Sequence, residues 1–381
     1  MKKISQFKQL LVFAMLFTLI LPAPTLQTTD AAPNLPTLPS PADGASGVST
    51  SPTLSATVSD PDTATNLTVQ FWGRVHKPDF TLVVLPDSKK YTTNGLGIFN
   101  IQNQWIVDNR IAQNIVFVTS LGDVVDDFNV PQQWDVANSG FSKLEPPGIP
   151  YGIAIGNSDS DNYGVPPGTT WFNTYFPVSR FAGRSYYGGA YFGDNGNSYQ
   201  LFSASGLDFI IIHLQYNLSY TPAKSDAILG WADGLLKANS NRRAIVIVHS
   251  LLDINDDFTP DGSAVFNSLK DNPNLFLMMG GHLDTEGIKW DYGDAGQAIY
   301  SLRSDYQTRA NGGNGWLRLV HFAPDTDPTG SYTNQINVET YSPYLNAYET
   351  DSDSKFSLEY DMGGSSFQLL GTVNCFTCVD R

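Results

Sequence analysis

The chain has 381 residues, with 37 Asp plus Glu against 22 Lys plus Arg and a formal net charge of −15. Charged residues reach only 15% while aromatic residues reach 12%, which excludes a charge-rich disordered chain and leaves a globular one, long enough for about two domains. So acidic a surface repels nucleic-acid backbones and anionic lipid, so a general DNA or RNA binder is excluded. Any site that handles an anion must bring its own local positive charge.

In chain order, Lys2, Lys3 and Lys8 precede an apolar run from Leu10 to Leu21. The run is too short to span a bilayer and suits a signal peptide, with small residues at Thr29 and Ala31 placing cleavage after Ala31. No later stretch is long enough to span a membrane, so no stable membrane span is expected. Residues 1–31 are thus expected to be a signal peptide and the product to be secreted or held in the periplasm or cell envelope. Residues 32–78 open with a stretch rich in Pro, Ser, Gly and Thr. Alternation then follows through Leu54, Ala56 and Val58, and through Leu67, Val69 and Phe71, with Asp60-Pro61-Asp62 as a turn. The expectation is a linker and a short immunoglobulin-like β-module.

From residue 79 the texture becomes strand, then helix, repeated. Strands are expected at Thr81–Leu85, Ile115–Leu121, Tyr151–Ile155, Phe209–Leu214, Ala244–Val248 and Leu275–Met279. Helices are expected at Ile98–Ile111, Trp134–Leu144, Ser225–Ala238 and around Ala264–Leu269. Beyond Ile288 the pattern alternates, through Ala298–Leu302, Trp316–Phe322 and Gln335–Tyr341. The class is α/β with a mainly β C-terminal portion, on one core spanning 79–348. Residues 349–381 are left as a C-terminal tail, whose Cys375 and Cys378 suit a small disulfide in an exported protein.

The chemistry is expected at the strand ends. Five strands run into Asp87, Gly122-Asp123, Gly156-Asn157, His249 and Gly280-Gly281-His282. Open α/β sheets bind ligands in the crevice at the carboxyl ends of their strands. Two Asp, one Asn and two His without thiolates form a set suited to Zn, Fe or Mn. His213 and His321 lie inside apolar strands and are expected to be structural. Asp126, Asp159 and Asp161 stand equally as loop caps or as groups orienting the ligands. The aromatic segment from Tyr186-Tyr187 to Tyr191-Phe192 is a candidate substrate rim.

With those residues in order, the chain from about Phe80 to Tyr348 resembles the calcineurin-like metallophosphoesterase family, in particular its exported bacterial branch with an immunoglobulin-like module in front. The family's motifs Asp-x-His, Gly-Asp-x-x-Asp, Gly-Asn-His-Asp, a lone His and Gly-His-x-His read here as Asp87-Ser88-Lys89, Gly122-Asp123-Val124-Val125-Asp126, Gly156-Asn157-Ser158-Asp159, His249 and Gly281-His282-Leu283-Asp284. The resemblance implies a four-layer α/β/β/α sandwich in which two metals activate a water against a phosphate ester. It also implies that Asp123, Asn157, His249 and His282 hold one metal. The other site is altered: Lys89 and Asp284 replace its histidines, and Ser158 replaces the histidine that supports the transferring group.

A protonated Lys89 has no lone pair and cannot ligate, but it places a fixed positive charge beside a phosphate or pairs with Asp87. Asp284 can ligate as a carboxylate or pair with Lys89. The expected cofactor is therefore a divalent metal, Zn, Fe or Mn, as one or two ions, with one tightly held ion and Lys89 standing in for the second. The expected ligands are Asp87, Asp123, Asn157, His249, His282 and Asp284, with Lys89 and Ser158 in the catalytic positions. Ser158 is a weak acid at neutral pH, and as a nucleophile it has no partner base. The expected function is an exported metal-dependent phosphoesterase acting on a mono- or diester. The alternative is a catalytically weak or inactive relative that binds without turnover.

Overall fold

The computed structural model describes residues 31–42, 45, 49, 51–61, 67–73, 77–324, 334–363 and 368–375. The expected signal peptide, apart from Ala31, and His76 lie outside the described residues, as do Cys378 and the side chain of Cys375. The chain divides into two compact units: Met1–Arg74 together with Phe367–Arg381, and Val75–Ser366.

In the first unit, β1 (Thr37–Ser40) pairs antiparallel with β2 (Ser55–Thr57). The next strand, β3 (Leu67–Gly73), carries the expected alternation of Leu67, Val69 and Phe71. Its partner comes from the far end of the sequence, at Gln368–Cys375, with Val69 opposite Val373. The segment left as a tail by the sequence therefore returns to this unit. Its strand shows no clean alternation, since Leu369, Leu370 and Val373 are all exposed.

The second unit begins with β4 (Phe80–Leu85), α1 (Ile98–Asn109), β5 (Ile115–Ser120), α2 (Pro131–Ser142) and β6 (Tyr151–Ile153). Two short helices follow, α3 (Thr170–Tyr175) and α4 (Val178–Phe181), then β7 (Tyr187–Tyr191), β8 (Asp194–Ala204) and β9 (Leu207–Leu214). Next come α5 (Pro222–Ala238), β10 (Arg243–Val248), α6 (Pro260–Leu269), β11 (Leu275–Gly280), β12 (Thr285–Tyr292) and β13 (Ala298–Asp305). The unit ends with β14 (Leu317–Ala323), β15 (Gln335–Ser342), β16 (Ala347–Tyr348) and β17 (Lys355–Glu359).

One sheet runs β16-β15-β14-β4-β5-β6, with β17 also on β15, and the other runs β12-β13-β11-β10-β9-β8-β7. The chain crosses in parallel from β4 to β5 to β6, and from β9 to β10 to β11 to β13. This aligns seven carboxyl ends, counting both sheets, at the loops that carry the polar residues.

Strand alternation sets the layers. On β9 and β10, Phe209, Ile211, Ile245 and Ile247 pack in one core with β4, β5 and β14, while Ile210, Ile212, Val246 and Val248 pack in a second with α5 and α6. The helices supply matching faces: Ile228, Leu229, Ala232 and Leu236 from α5, and Ile98, Phe99 and Ile106 from α1. The order is helix, sheet, sheet, helix. Each fully buried aliphatic or aromatic side chain contributes about 1.5–3 kcal/mol to holding it. Helix starts follow simple rules: Pro222 and Pro260 occupy first-turn positions, and the Thr259 side chain accepts a hydrogen bond from Gly262 N.

Three segments differ from the expectations. In the aromatic segment Tyr186 to Phe192, Phe192 is exposed while the tyrosines at its start are taken up in packing. Tyr187–Tyr191 is an edge strand, Tyr186 packs on Phe117 and Tyr151, and Tyr187 stacks on Phe181. The polar segment Asp194–Ala204 is an eleven-residue strand whose Asn195, Asn197, Ser198 and Gln200 are buried. Lys355–Glu359, within the expected tail, pairs with β15. Its burial alternates too weakly to be read from sequence. No helix among the described residues is long and apolar enough to cross a membrane.

Candidate metal centre

The loop after β4 supplies Asp87, the loop after β5 Asp123, the loop after β6 Asn157, the loop after β10 His249 and the loop after β11 His282. Asp87, Asp123 and His249 are buried and bring ligand atoms within 4.8 Å of one another. The backbone must come very close to do this. Gly156 is required because a Cβ there would overlap the Asp123 carboxylate, and Gly122 adopts a φ of +101° between Gly156 and the His249 ring. Asp123 and His282 have left-handed φ values of 52° and 73°, a conformation that costs non-glycine residues of order 1 kcal/mol and is held by their contacts.

Asp123 is the hinge of the site. Its Oδ1 accepts a hydrogen bond from Ser158 N at 2.8 Å and lies 3.4 Å from His249 Nε2. Its Oδ2 accepts from Lys89 Nζ at 2.5 Å and from Ser158 Oγ at 3.1 Å. Burial opposes the carboxylate, but His249, Lys89 and the Ser158 N–H hold its pKa below the ordinary value. Lys89, in turn, is held protonated: burial disfavours its charge, and the attraction and hydrogen bond of Asp123 outweigh that. Lys89 therefore pairs with Asp123, not with Asp87 or Asp284, and also donates to Ser158 Oγ at 3.2 Å.

His249 has its Nδ1 2.9 Å from the Leu121 carbonyl, an acceptor only, so Nδ1 carries the proton. Burial pushes its pKa down to about 4, so the ring is neutral at pH 7. Nε2 then presents a lone pair to Asn157 Oδ1 at 3.3 Å and Asp123 Oδ1 at 3.4 Å. The His282 ring lies 5.0 Å from the His249 ring, and burial lowers its pKa as well. Asp87 accepts from His282 N at 3.3 Å; burial, with Asp305 and Asp123 nearby, raises its pKa well above the carboxylate range.

Asp159 ties two of the loops together, accepting from Val124 N, Val125 N and Gly156 N at 2.8, 3.0 and 2.9 Å. Burial and Asp123 raise its carboxyl to about 7 against those bonds. Asp126 takes Lys90 Nζ at 2.8 Å, and Asp161 accepts from Thr170 N at 2.9 Å. Asp284 and His282 both lie outside the cluster of Asp87, Asp123 and His249, Asp284 accepting from Thr308 N at 3.2 Å. His213 and His321 are bonded to Thr119 and Thr81 within the sheets, as expected of structural histidines.

Two residues beside the site were not singled out from sequence. Asp305 ends β13 and is bound through both oxygens by Gln307, at 2.9 Å from N and 2.6 Å from Nε2. Burial raises its pKa to about 6 despite these bonds, with Asp284 and Asp123 adding to the rise. The signal was available: it is one more polar residue at the carboxyl end of a parallel strand. Tyr216 has its ring 5.8 and 5.4 Å from the His249 and His282 rings and fills the space beside Gly164, and only its place just after β9 marks it.

The donor set fits a divalent cation. Three uncharged or anionic lone-pair donors face one another without a proton between them, which is unfavourable unless a cation lies among them. The 3.3 and 3.4 Å separations of His249 Nε2 from the Asn157 and Asp123 oxygens match the edge of about 3.3–3.4 Å in a tetrahedron of ligands 2.0–2.1 Å from a metal. A second acidic group, Glu286 with Glu349 and Asp351, is already neutralised: Arg318 lies 2.9 Å from Glu286 and Arg309 2.6 Å from Glu349.

No family model matches the chain. An uncharacterized protein of Bacillus subtilis, YvnB, is 32% identical over 300 residues, which are 75% of this chain and 22% of the relative. The chain thus spans about a fifth of the length of that curated relative. Among solved structures, a dimetal phosphatase from Danio rerio is similar over 74% of this chain and 99% of its own, with 12% identity and a TM-score of 0.46. A purple acid phosphatase from yellow lupin seeds, Lupinus luteus, is similar over 75% and 55%, with 14% identity and a TM-score of 0.48.

Proposed function

We propose that the second unit is a metal-dependent phosphoesterase of the calcineurin-like type, with one divalent ion held by Asp123, Asn157, His249 and His282. The observation that carries this reading is the neutral His249, whose Nε2 lone pair faces Asp123 and Asn157 oxygens at 3.4 and 3.3 Å. Such an ion supplies a Lewis acid for a phosphoryl oxygen and an activated water. Charge bookkeeping supports one ion. Asp87, Asp123 and Asp305, when ionised around a cation, carry three negative charges against Lys89, a balance that a single dication closes.

The chain's own residues do the rest. Leu121 O fixes the His249 tautomer, Ser158 N and Oγ orient Asp123, and the Lys89 ammonium stands on the other Asp123 oxygen, where the resemblance places a second metal. That ammonium offers a fixed positive charge to a phosphoryl oxygen. Export and an immunoglobulin-like character for the first unit belong to the same proposal, supported by the basic and apolar N-terminal sequence and by the alternation in β3. Ser158 and Lys89 also support the second reading, binding without turnover, because neither replaces the family's proton-donating histidine.

The test is metal content together with turnover. Purified protein is expected to bind about one equivalent of Mn, Zn or Fe by elemental analysis. It should also hydrolyse an aryl phosphate ester above the level of Asp123→Ala. Metal binding with turnover equal to that variant would leave the binding reading; no metal binding would remove both.

A further inference from the structure

Resting on the phosphoesterase reading, we infer that the site selects monoanionic phosphodiesters over dianionic phosphomonoesters. The argument is the balance of fixed charge around the centre. The loops at the carboxyl ends of β4, β5, β6, β9, β10, β11 and β13 carry only three basic side chains, Lys89, Lys90 and Arg309. Each is already engaged by a carboxylate: Lys89 by Asp123 at 2.5 Å, Lys90 by Asp126 at 2.8 Å, and Arg309 by Glu349 at 2.6 Å. The same loops add Asp127, Asp253 and Asp284, which are held by neutral donors: Tyr163 and Gln133, the Asn255 and Asp257 N–H groups, and Thr308 N.

A phosphomonoester brings two negative charges at neutral pH, and no basic group on these loops is left over for the second one. A diester brings one, shared between the divalent ion and the half-buried Lys89 ammonium, and its second ester arm is uncharged. With a second metal in place of Lys89 the centre would carry more positive charge and accept a dianion. Replacing a dication by an ammonium removes that allowance. In the step this implies, a water oxygen forms a bond to phosphorus and the bond from phosphorus to one ester oxygen breaks. The bonding pair leaves on that oxygen, both water protons pass to solvent, and the products are a monoester dianion and the leaving-group oxyanion.

The experiment compares bis(4-nitrophenyl) phosphate with 4-nitrophenyl phosphate on the full chain loaded with Mn, at pH 8. The leaving group is the same, so the comparison does not turn on leaving-group acidity; the two substrates differ in charge and in the second aryl arm. The expected result is a kcat/KM at least tenfold higher for the diester; an equal or higher value for the monoester overturns the inference. If neither substrate turns over, the hydrolase reading fails, and calorimetric titration of the same loaded protein with diphenyl phosphate and phenyl phosphate still decides the charge selection. Tighter binding of the diester sustains it, and equal or tighter binding of phenyl phosphate overturns it. Lys89→His, checked by elemental analysis for a second equivalent of metal, should shrink the diester preference at least fivefold. Two bound equivalents with the preference unchanged would also overturn it.

Discussion

The two oxygens of Asp123 face two different halves of one site. Oδ1 accepts from Ser158 N and lies 3.4 Å from the His249 Nε2 lone pair, which also faces Asn157 Oδ1, and Oδ2 is occupied by the Lys89 ammonium and the Ser158 hydroxyl. The histidine half is therefore electrostatically incomplete without a cation, and the lysine half already contains one. The same strand-end scaffold builds both. The side chain two residues beyond Asp87 sets the charge of the lysine half: an imidazole there would add a ligand, and the Lys89 ammonium adds a charge.

The change that breaks both halves together is Asp123→Ala. It removes a ligand from the histidine half and strands the Lys89 charge in the other. Metal affinity is expected to fall by more than about a hundredfold, beyond the 10–100-fold typical of outer-shell changes, with turnover falling at least as far. Elemental analysis after dialysis at sub-stoichiometric metal checks it; retention of one full equivalent would place the metal elsewhere. Asp159→Ala acts on the frame and touches neither half directly. It leaves the Val124, Val125 and Gly156 N–H groups unpaired in a buried place, and the expected loss is about 3 kcal/mol in urea unfolding. A change below about 0.5 kcal/mol would mean that water replaces the carboxylate.

Gly156→Ala tests whether the two halves move together, because its Cβ would overlap Asp123 Oδ1, N and Cγ, the carbon that carries both carboxylate oxygens. Metal binding should weaken about 10–100-fold and the Lys89 ion pair should loosen with it. Calorimetry with Mn measures the first and the ammonium resonance of Lys89 the second. A weakened metal site with the Lys89 signal unchanged would show that the two oxygens respond separately.

The contrast between halves also explains what could be read from sequence. The parallel strands around the site are short apolar runs that end in Gly, Asp, Asn or His, so Asp87, Asp123, Asn157, His249 and His282 announce themselves by position. The same rule extends to Asp305, which was hidden only because the alternation of Ala298–Leu302 weakens before the strand ends. The strand Asp194–Ala204 was illegible for another reason. Its buried Asn and Gln side chains satisfy one another and the backbone, as in Asn197 Nδ2 to Gln215 Oε1 at 2.9 Å, so burial there leaves no hydrophobic pattern. The partner of Lys89 was equally out of reach. Asp87, Asp123 and Asp284 are all compatible with the sequence, and only the approach of the β4 and β5 loops selects Asp123.

The smallest predicted effect separates the metal half from a histidine that resembles it in sequence. His213 is buried, bonded to Thr119 Oγ1 at 2.9 Å, and its ring occupies the space beside Gly152; burial pushes its pKa down to about 3. In the unfolded chain the ring takes up a proton below about pH 6.5. Between those values the unfolded state binds one more proton than the folded state. Stability therefore rises with pH through this window and is lost as pH falls, by about 1.4 kcal/mol per pH unit from this ring. Carboxylates add to the same acid limb, so the measurement must be a difference. His213→Gln, compared with the wild type by urea unfolding from pH 7.5 to 4.5, should start less stable and then close the gap by about 1.4 kcal/mol for each pH unit below 6. A gap that stays constant across that range would mean His213 titrates alike in both states. Metal addition should leave the slope of this difference unchanged, since His213 lies in the sheet and outside the donor set that metal would neutralise.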